Sequence, residues 1–158
     1  RPLAICLTVL CGSPLIAQTT NVAFGSKAQD TSAPVEVTSE NLEVDQETGA
    51  ATFTGNVIVI QADLRLSAPR VDVTNNPEGT GIAKMTATGG VILVSGDDEA
   101  EADRADYDID SGIVVMTGNA LLTQGLSAIT SDKMFIDMTD GTAKMSGSVK
   151  TILQTGGN

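Results

Sequence analysis

The 158-residue chain has no histidine and no tryptophan, one tyrosine, three phenylalanines and two cysteines. Both cysteines, Cys6 and Cys11, fall in the first eleven residues. The body of the chain therefore has no member for the usual nucleophile–base pairs or for thiolate and imidazole metal sites. Ser67, Ser95, Ser127 and Ser131 have no catalytic motif around them. The reading is a protein that is not an enzyme and needs no cofactor. Cations are scarce as well: nine Lys and Arg against twenty Asp and Glu give a net charge of −11. That charge repels phosphates and so excludes nucleic acid as a partner; any anionic ligand must be held by something other than long-range attraction. No segment shows helical periodicity.

The first residues differ from the rest. Arg1, the apolar run Leu3 to Leu10, and Cys11, Gly12, Ser13, Pro14, Leu15, Ile16, Ala17 have the charge, apolar core and small-residue end of a secretory signal. The run is too short to span a bilayer and is broken by Gly12 and Pro14. Residues 1–17 are expected to be a signal peptide cut after Ala17, with lipidation of Cys11 as the rival disfavoured by the bulk of Leu10. Removal would leave an exported protein without disulfides, held by packing and strand pairing. Residues 18–34, rich in Thr, Ser, Ala and Asn without periodicity, read as a flexible leader, and 35–155 as the folded domain.

What the chain does have is a repeat. Thr54-Gly55-Asn56-Val57 returns as Thr88-Gly89-Gly90-Val91, Thr117-Gly118-Asn119-Ala120 and Ser146-Gly147-Ser148-Val149, with the glycines 34, 29 and 29 residues apart. A fixed period in this range marks stacked copies of one supersecondary unit. Aligning on the glycines gives units 38–66, 67–100, 101–129 and 130–158, the second lengthened by a turn-like insertion around Asn75 to Gly81.

Each unit opens on a period of two: Leu42 and Val44 correspond to Val71 and Val73, Ala105 and Tyr107, Met134 and Ile136, while their neighbours are mostly polar. That alternation puts one face of a strand in a core and the other in water. A turn follows, marked by Gly49, Gly112 and Gly141, each with an aspartate four residues earlier: Asp45, Asp108, Asp137. Turn chemistry explains those aspartates better than a metal does. A second strand then runs through the signature, with inward positions Ala51, Phe53, Val57, Val59; Met85, Ala87, Val91, Leu93; Val114, Met116, Ala120, Leu122; and Ala143, Met145, Val149, Thr151. Fifteen of these sixteen are apolar. The signature glycine falls on the inward row, where a missing side chain permits a bulge or close backbone approach.

The expected fold is all-β: stacked short strands in four repeats, their inward rows lining one interior, with terminal strands near 35–45 and 144–153 left without a neighbour in the chain. The acidic run Asp97, Asp98, Glu99, Glu101, Asp103, Asp106, Asp108, Asp110 does not match a calcium-loop or nonapeptide spacing, and reads as a solvated face. Two readings of the interior stay open. One is a filled core. The other is an apolar seam that accepts a lipid, in which adaptable Met85, Met116, Met134 and Met145 repack around acyl chains, each buried methylene contributing about 0.8 kcal/mol.

The repeated inward aliphatic pair, acidic turn and Phe53-Thr54-Gly55-Asn56-Val57 signature resembles the LptA/OstA-like family of periplasmic lipopolysaccharide transport proteins of Gram-negative bacteria. The resemblance covers about Val35 to Leu153. It implies an open, twisted β-jelly roll whose apolar groove takes the acyl chains of lipid A, leaving sugars and phosphates outside. It also implies modules joined end to end through edge strands, from an inner-membrane-anchored partner to an outer-membrane translocon, and end-to-end homo-oligomers. Carried onto this chain, the lipid-binding residues would be Leu42, Val44, Phe53, Val57, Val59, Val71, Val73, Met85, Val91, Leu93, Tyr107, Met116, Leu122, Met134, Ile136 and Met145, with no metal. The alternative of a different class is a β-solenoid that polymerises through its ends without a ligand.

Overall fold

A computed structural model describes residues 20–25 and 28–154. The signal-peptide reading of residues 1–17 and both cysteines lie outside the described residues. Among the described residues alternation at period two produces strands and no helix: β1 (Thr20–Ala23), β2 (Glu36–Thr38), β3 (Asn41–Val44), β4 (Ala51–Gln61), β5 (Leu64–Asn75), β6 (Ile82–Ser95), β7 (Asp98–Asp108), β8 (Ile113–Gln124), β9 (Ser127–Asp137), β10 (Thr142–Ser146) and β11 (Lys150–Ile152). They form one antiparallel sheet, in the order β1-β10-β9-β8-β7-β6-β5-β4-β2, with β3 also on β4 and β11 also on β9.

The central strands are long and bent, where short ones were expected. The boundaries between the sequence units at 66/67, 100/101 and 129/130 fall inside β5, β7 and β9, so the working element is the hairpin and not the unit. Each pairing from β4 to β9 loses register mid-strand, between Thr54 and Val57, Ser67 and Arg70, Thr88 and Val91, Glu101 and Arg104, and Thr117 and Ala120, and β5 on β6 shifts a second time between Thr74 and Asn75 at its end. The mid-strand bulges line up across the sheet, and the terminal strands break at the same level: β2 and β3 on one side, β10 and β11 on the other. At the seam Gly55, Gly89, Gly118 and Gly147 take φ of +83°, +93°, +82° and +78°, each followed by a second left-handed residue. L-residues rarely accept that backbone, and a bulge of this kind bends the strand.

The seam divides the sheet into two halves that fold toward one another. One half carries the aspartate turns at its rim. The Asp45 carboxylate accepts from the Glu47 and Thr48 amides, that of Asp108 from the Ser111 amide, and that of Asp137 from the Thr139 hydroxyl and from the Thr139 and Asp140 amides. These bonds hold all three carboxyls below the usual range. The other half carries the short turns Gln61–Leu64, Ser95–Asp98 and Gln124–Ser127. The rims meet directly: the Tyr107 hydroxyl, from the first, donates to Gln61 Oε1, from the second, at 2.7 Å.

The segment expected to be a flexible leader is built into the fold where it is described. Residues 20–23 pair with 142–145 as β1, and Phe24 is 1% exposed in the core. The apolar spacing Val22, Phe24 was too short a signal to register as a strand against a Thr- and Ser-rich background. In consequence the β10 edge, expected to be bare, is occupied.

Candidate functional site

The interior between the halves is lined by the inward rows. Val57, Val59, Val71, Val73, Met85, Val91, Leu93, Tyr107, Met116, Leu122, Met134, Ile136 and Met145 are all buried in one continuous cluster, and Phe53 packs against it partly buried. These fourteen sequence-derived positions therefore come together. Leu42 and Val44 do not join them: they are 57% and 54% exposed. Both lie on the inward row of β3, opposite Phe53 and Ala51, but β3 ends the sheet and nothing described lies over it.

All five methionines of the chain are buried, including Met138, which alternation alone did not single out. Leu64, Leu66, Ile129 and Phe24 were also missed, although Leu64-Arg65-Leu66 does alternate. Among the described residues no charged side chain is buried, and the buried polar ones are Gln61, Ser95 and Ser131. The interior is thus a charge-free environment, matched to hydrocarbon. It is also closed. Between the halves, under Val35, Gln61 and Tyr107, there remains a cavity of about 10 Å³. That is room for about one water and far less than an acyl chain needs.

The closure is made by the described residues between β1 and β2, Phe24, Gly25 and 28–35. On the aspartate-turn rim the Phe24 and Gln29 amides donate to the carbonyls of Gly141 and Met138, both at 2.8 Å. On the opposite rim the Gly25 amide donates to Asp98 Oδ2 at 2.7 Å, Gln29 Nε2 to Ser95 Oγ at 2.6 Å, and Gln124 Nε2 to the Ala23 carbonyl at 2.5 Å. Further along, Gln61 Nε2 donates to the carbonyls of Thr31 and Ala33 at 2.9 and 3.0 Å, while its Oε1 accepts from Tyr107. One amide therefore ties this strap and both halves together. Burial raises the Tyr107 pKa, so the hydroxyl remains a donor at neutral pH.

The seam has its own packing. A methyl placed on Gly55, Gly118 or Gly147 would come within 2.6, 2.5 and 2.5 Å of the carboxylates of Glu40, Asp103 and Asp132. Asn119 Nδ2 donates to Asp103 at 2.9 Å, and Asn56 Nδ2 to Glu40 at 2.5 Å. The Asn of the signature is thus a clamp for an acid at the seam: Asp103 within β7, and Glu40 in the break between β2 and β3. Outside, Arg70 and Arg104 grip Asp72 and Asp106 through paired bonds of 2.7–2.8 Å, and Thr52 and Thr86 donate to the same two carboxylates. Both carboxyls are held below the usual range, chiefly by the arginines. The acidic run is in this way dispersed over strap, seam, outer face and turn, and among the described residues no three metal-ligating side chains are grouped to hold a metal.

A single sheet bent over a charge-free interior defines an apolar-interior β-roll, and no charged side chain among the described residues is buried in it. Residues 36–142 match the family described as LptA/(LptD N-terminal domain) LPS transport protein, and the chain belongs to that family. Its members are transport proteins and not enzymes. The chain is 32% identical over 111 residues to the lipopolysaccharide export system protein LptA of Escherichia coli K12, covering 66% of this chain and 60% of that one. It is 26% identical over 140 residues to LptA of Haemophilus influenzae, covering 84% and 81%. In fold it is similar to the crystal structure of LptH, the LptA-homologous periplasmic component of the lipopolysaccharide transport device of Pseudomonas aeruginosa. That similarity has a TM-score of 0.72 at 17% identity, over 80% of this chain and 99% of the other.

Proposed function

We propose that this chain is a periplasmic bridge protein that binds lipopolysaccharide by its acyl chains and passes it from the inner toward the outer membrane. The observation that carries this is the interior: inward rows from β4 to β10 form one apolar cluster with no buried charge. A tail of about a dozen carbons buried there would contribute on the order of 9 kcal/mol as an upper bound, without a cationic hook. The E. coli and H. influenzae relatives are lipopolysaccharide export system proteins, which favours the same cargo. Export by the N-terminal signal read at residues 1–17 completes the placement. Neighbouring modules, whether further copies or membrane-anchored partners, would add at the sheet ends, where Leu42 and Val44 on one side and Val149, Ile152 and Leu153 on the other are exposed.

Titration of delipidated protein with a fluorescent lipid A analogue tests this. Saturable uptake is expected, lost in Val59→Glu and Leu122→Asp while circular dichroism still reports a β fold. Uptake that is absent, or unaffected by both changes, defeats the proposal. The closed interior favours a second reading, a polymerising β-scaffold without lipid, which predicts concentration-dependent assembly and no uptake at any temperature below unfolding.

A further inference from the structure

The sheet ends match one another in a way that the position of β1 interrupts. At one end the broken pair β2 and β3 lies on β4; at the other the broken pair β11 and β10 lies on β9. Both pairs break at the seam, so stacking two copies head to tail would set β2 beside β11 and β3 beside β10. The second of these places is taken: β1 already pairs with β10, through Thr20–Met145 to Ala23–Thr142. β1 has the length of β3, four residues each, and like it runs antiparallel to its neighbour with an inward aliphatic residue, Val22 opposite Ala143. Meanwhile Leu42 and Val44 of β3 are uncovered. A second copy docking by β3 onto β10 would bury both, and would have to take the place of β1.

The same segment that fills the edge closes the interior. β1 runs directly into Phe24, which plugs the core, and on to the strap carrying Gln29, Thr31 and Ala33, whose bonds join the two rims. Pulling β1 off β10 removes the anchor of that strap.

We propose that β1, with Phe24, Gly25 and residues 28–35 that follow it, is an intramolecular stand-in for the β3 strand of a second copy, so that docking of that copy displaces β1 and opens the apolar interior in one event. The free protein is then both undocked and closed, and assembly licenses loading. By linkage the effect is reciprocal: a lipid that holds the halves apart favours docking. The loading half of this inference rests on the lipid-binding reading above; the edge-masking half does not.

A reversible lock tests it. Asn21 and Lys144 are directly opposed across β1 and β10, both exposed. Opposed antiparallel positions have the Cα spacing that a disulfide accepts. Asn21→Cys with Lys144→Cys is made in the full chain with Cys6→Ser and Cys11→Ser. Self-association is read by analytical ultracentrifugation, and loading by the fluorescent lipid A analogue. Reduced protein is expected to associate and load like the Cys6→Ser, Cys11→Ser parent, whereas oxidised protein stays monomeric and loads about tenfold more slowly. Val22→Asp, which weakens β1 without a lock, should shift both the other way. Oxidised protein that associates and loads like the reduced form overturns the inference and leaves lipid binding standing. Loading absent from both forms overturns lipid binding and the coupling with it, and association alone then decides whether β1 masks the edge.

Discussion

The two ends of the sheet carry the same inward pattern and meet opposite fates. At β3 the pair Leu42 and Val44 is more than half exposed; at β10 the pair Ala143 and Met145 is 1% and 2% exposed. All four residues alternate with polar neighbours and pair with a strand on one side. The difference is β1 and Phe24, which cover β10 and have no counterpart over β3 among the described residues. Burial of an inward residue is thus a property of its neighbours as much as of its strand, since apolar area leaves water only when something lies against it.

Removing the cover should give the largest effect. Phe24→Ala deletes a fully buried ring at the covered end and is expected to destabilise by about 3–5 kcal/mol, read from the denaturant midpoint. A loss no greater than that of a surface change would mean that the two ends are alike. Next comes the seam shared by both. Gly118→Ala forces a side chain into a left-handed position against Asp103 and should cost about 2 kcal/mol. Gly55→Ala, beside the end strand β3, should cost less because Glu40 and β3 have open space to move into.

Acid offers a test of the outer face that spares both ends. The folded Asp72 and Asp106 carboxyls lie below their ordinary value of 3.8 because Arg70 and Arg104 bond to them. Their contribution is therefore present above pH 3.8 and is lost as pH falls through the lower folded values. The pairs are substantially exposed, so each contributes less than about 1 kcal/mol. Asp106→Asn should flatten the acid limb of a stability–pH curve by that amount, and an unchanged limb would show that the pair is inert. Smallest in stability is Leu42→Ser, expected within about 0.5 kcal/mol of wild type. Its effect should instead fall on self-association, which a sedimentation series would show to weaken if β3 is the docking strand.

Most of the roll was legible along the chain. Leu93, Met116, Leu122 and Ile136 are where period-two alternation puts them, and Asp108 and Asp137 close the turns as turn aspartates do. The glycine signature announced a bulge, although not that Asp103 and Asp132 would pack on it. Sequence failed where a contact joins distant parts: the Gln61–Tyr107 bond spans 46 residues, and β1 meets β10 more than a hundred residues on. Nothing in their local sequence marks Gln61 or Ser95, and only the folding together of the rims makes them contacts of the strap.

Strand identity, facing and turn placement were determined by the amino-acid order itself, because pleat and turn geometry act over two to five residues. Which strand finishes each end, whether the interior has a mouth, and which polar groups are sealed inside were decided by tertiary structure alone. Those outcomes depend on what remote segment arrives to bury apolar area and take up hydrogen bonds, and no local period encodes an arrival from across the chain.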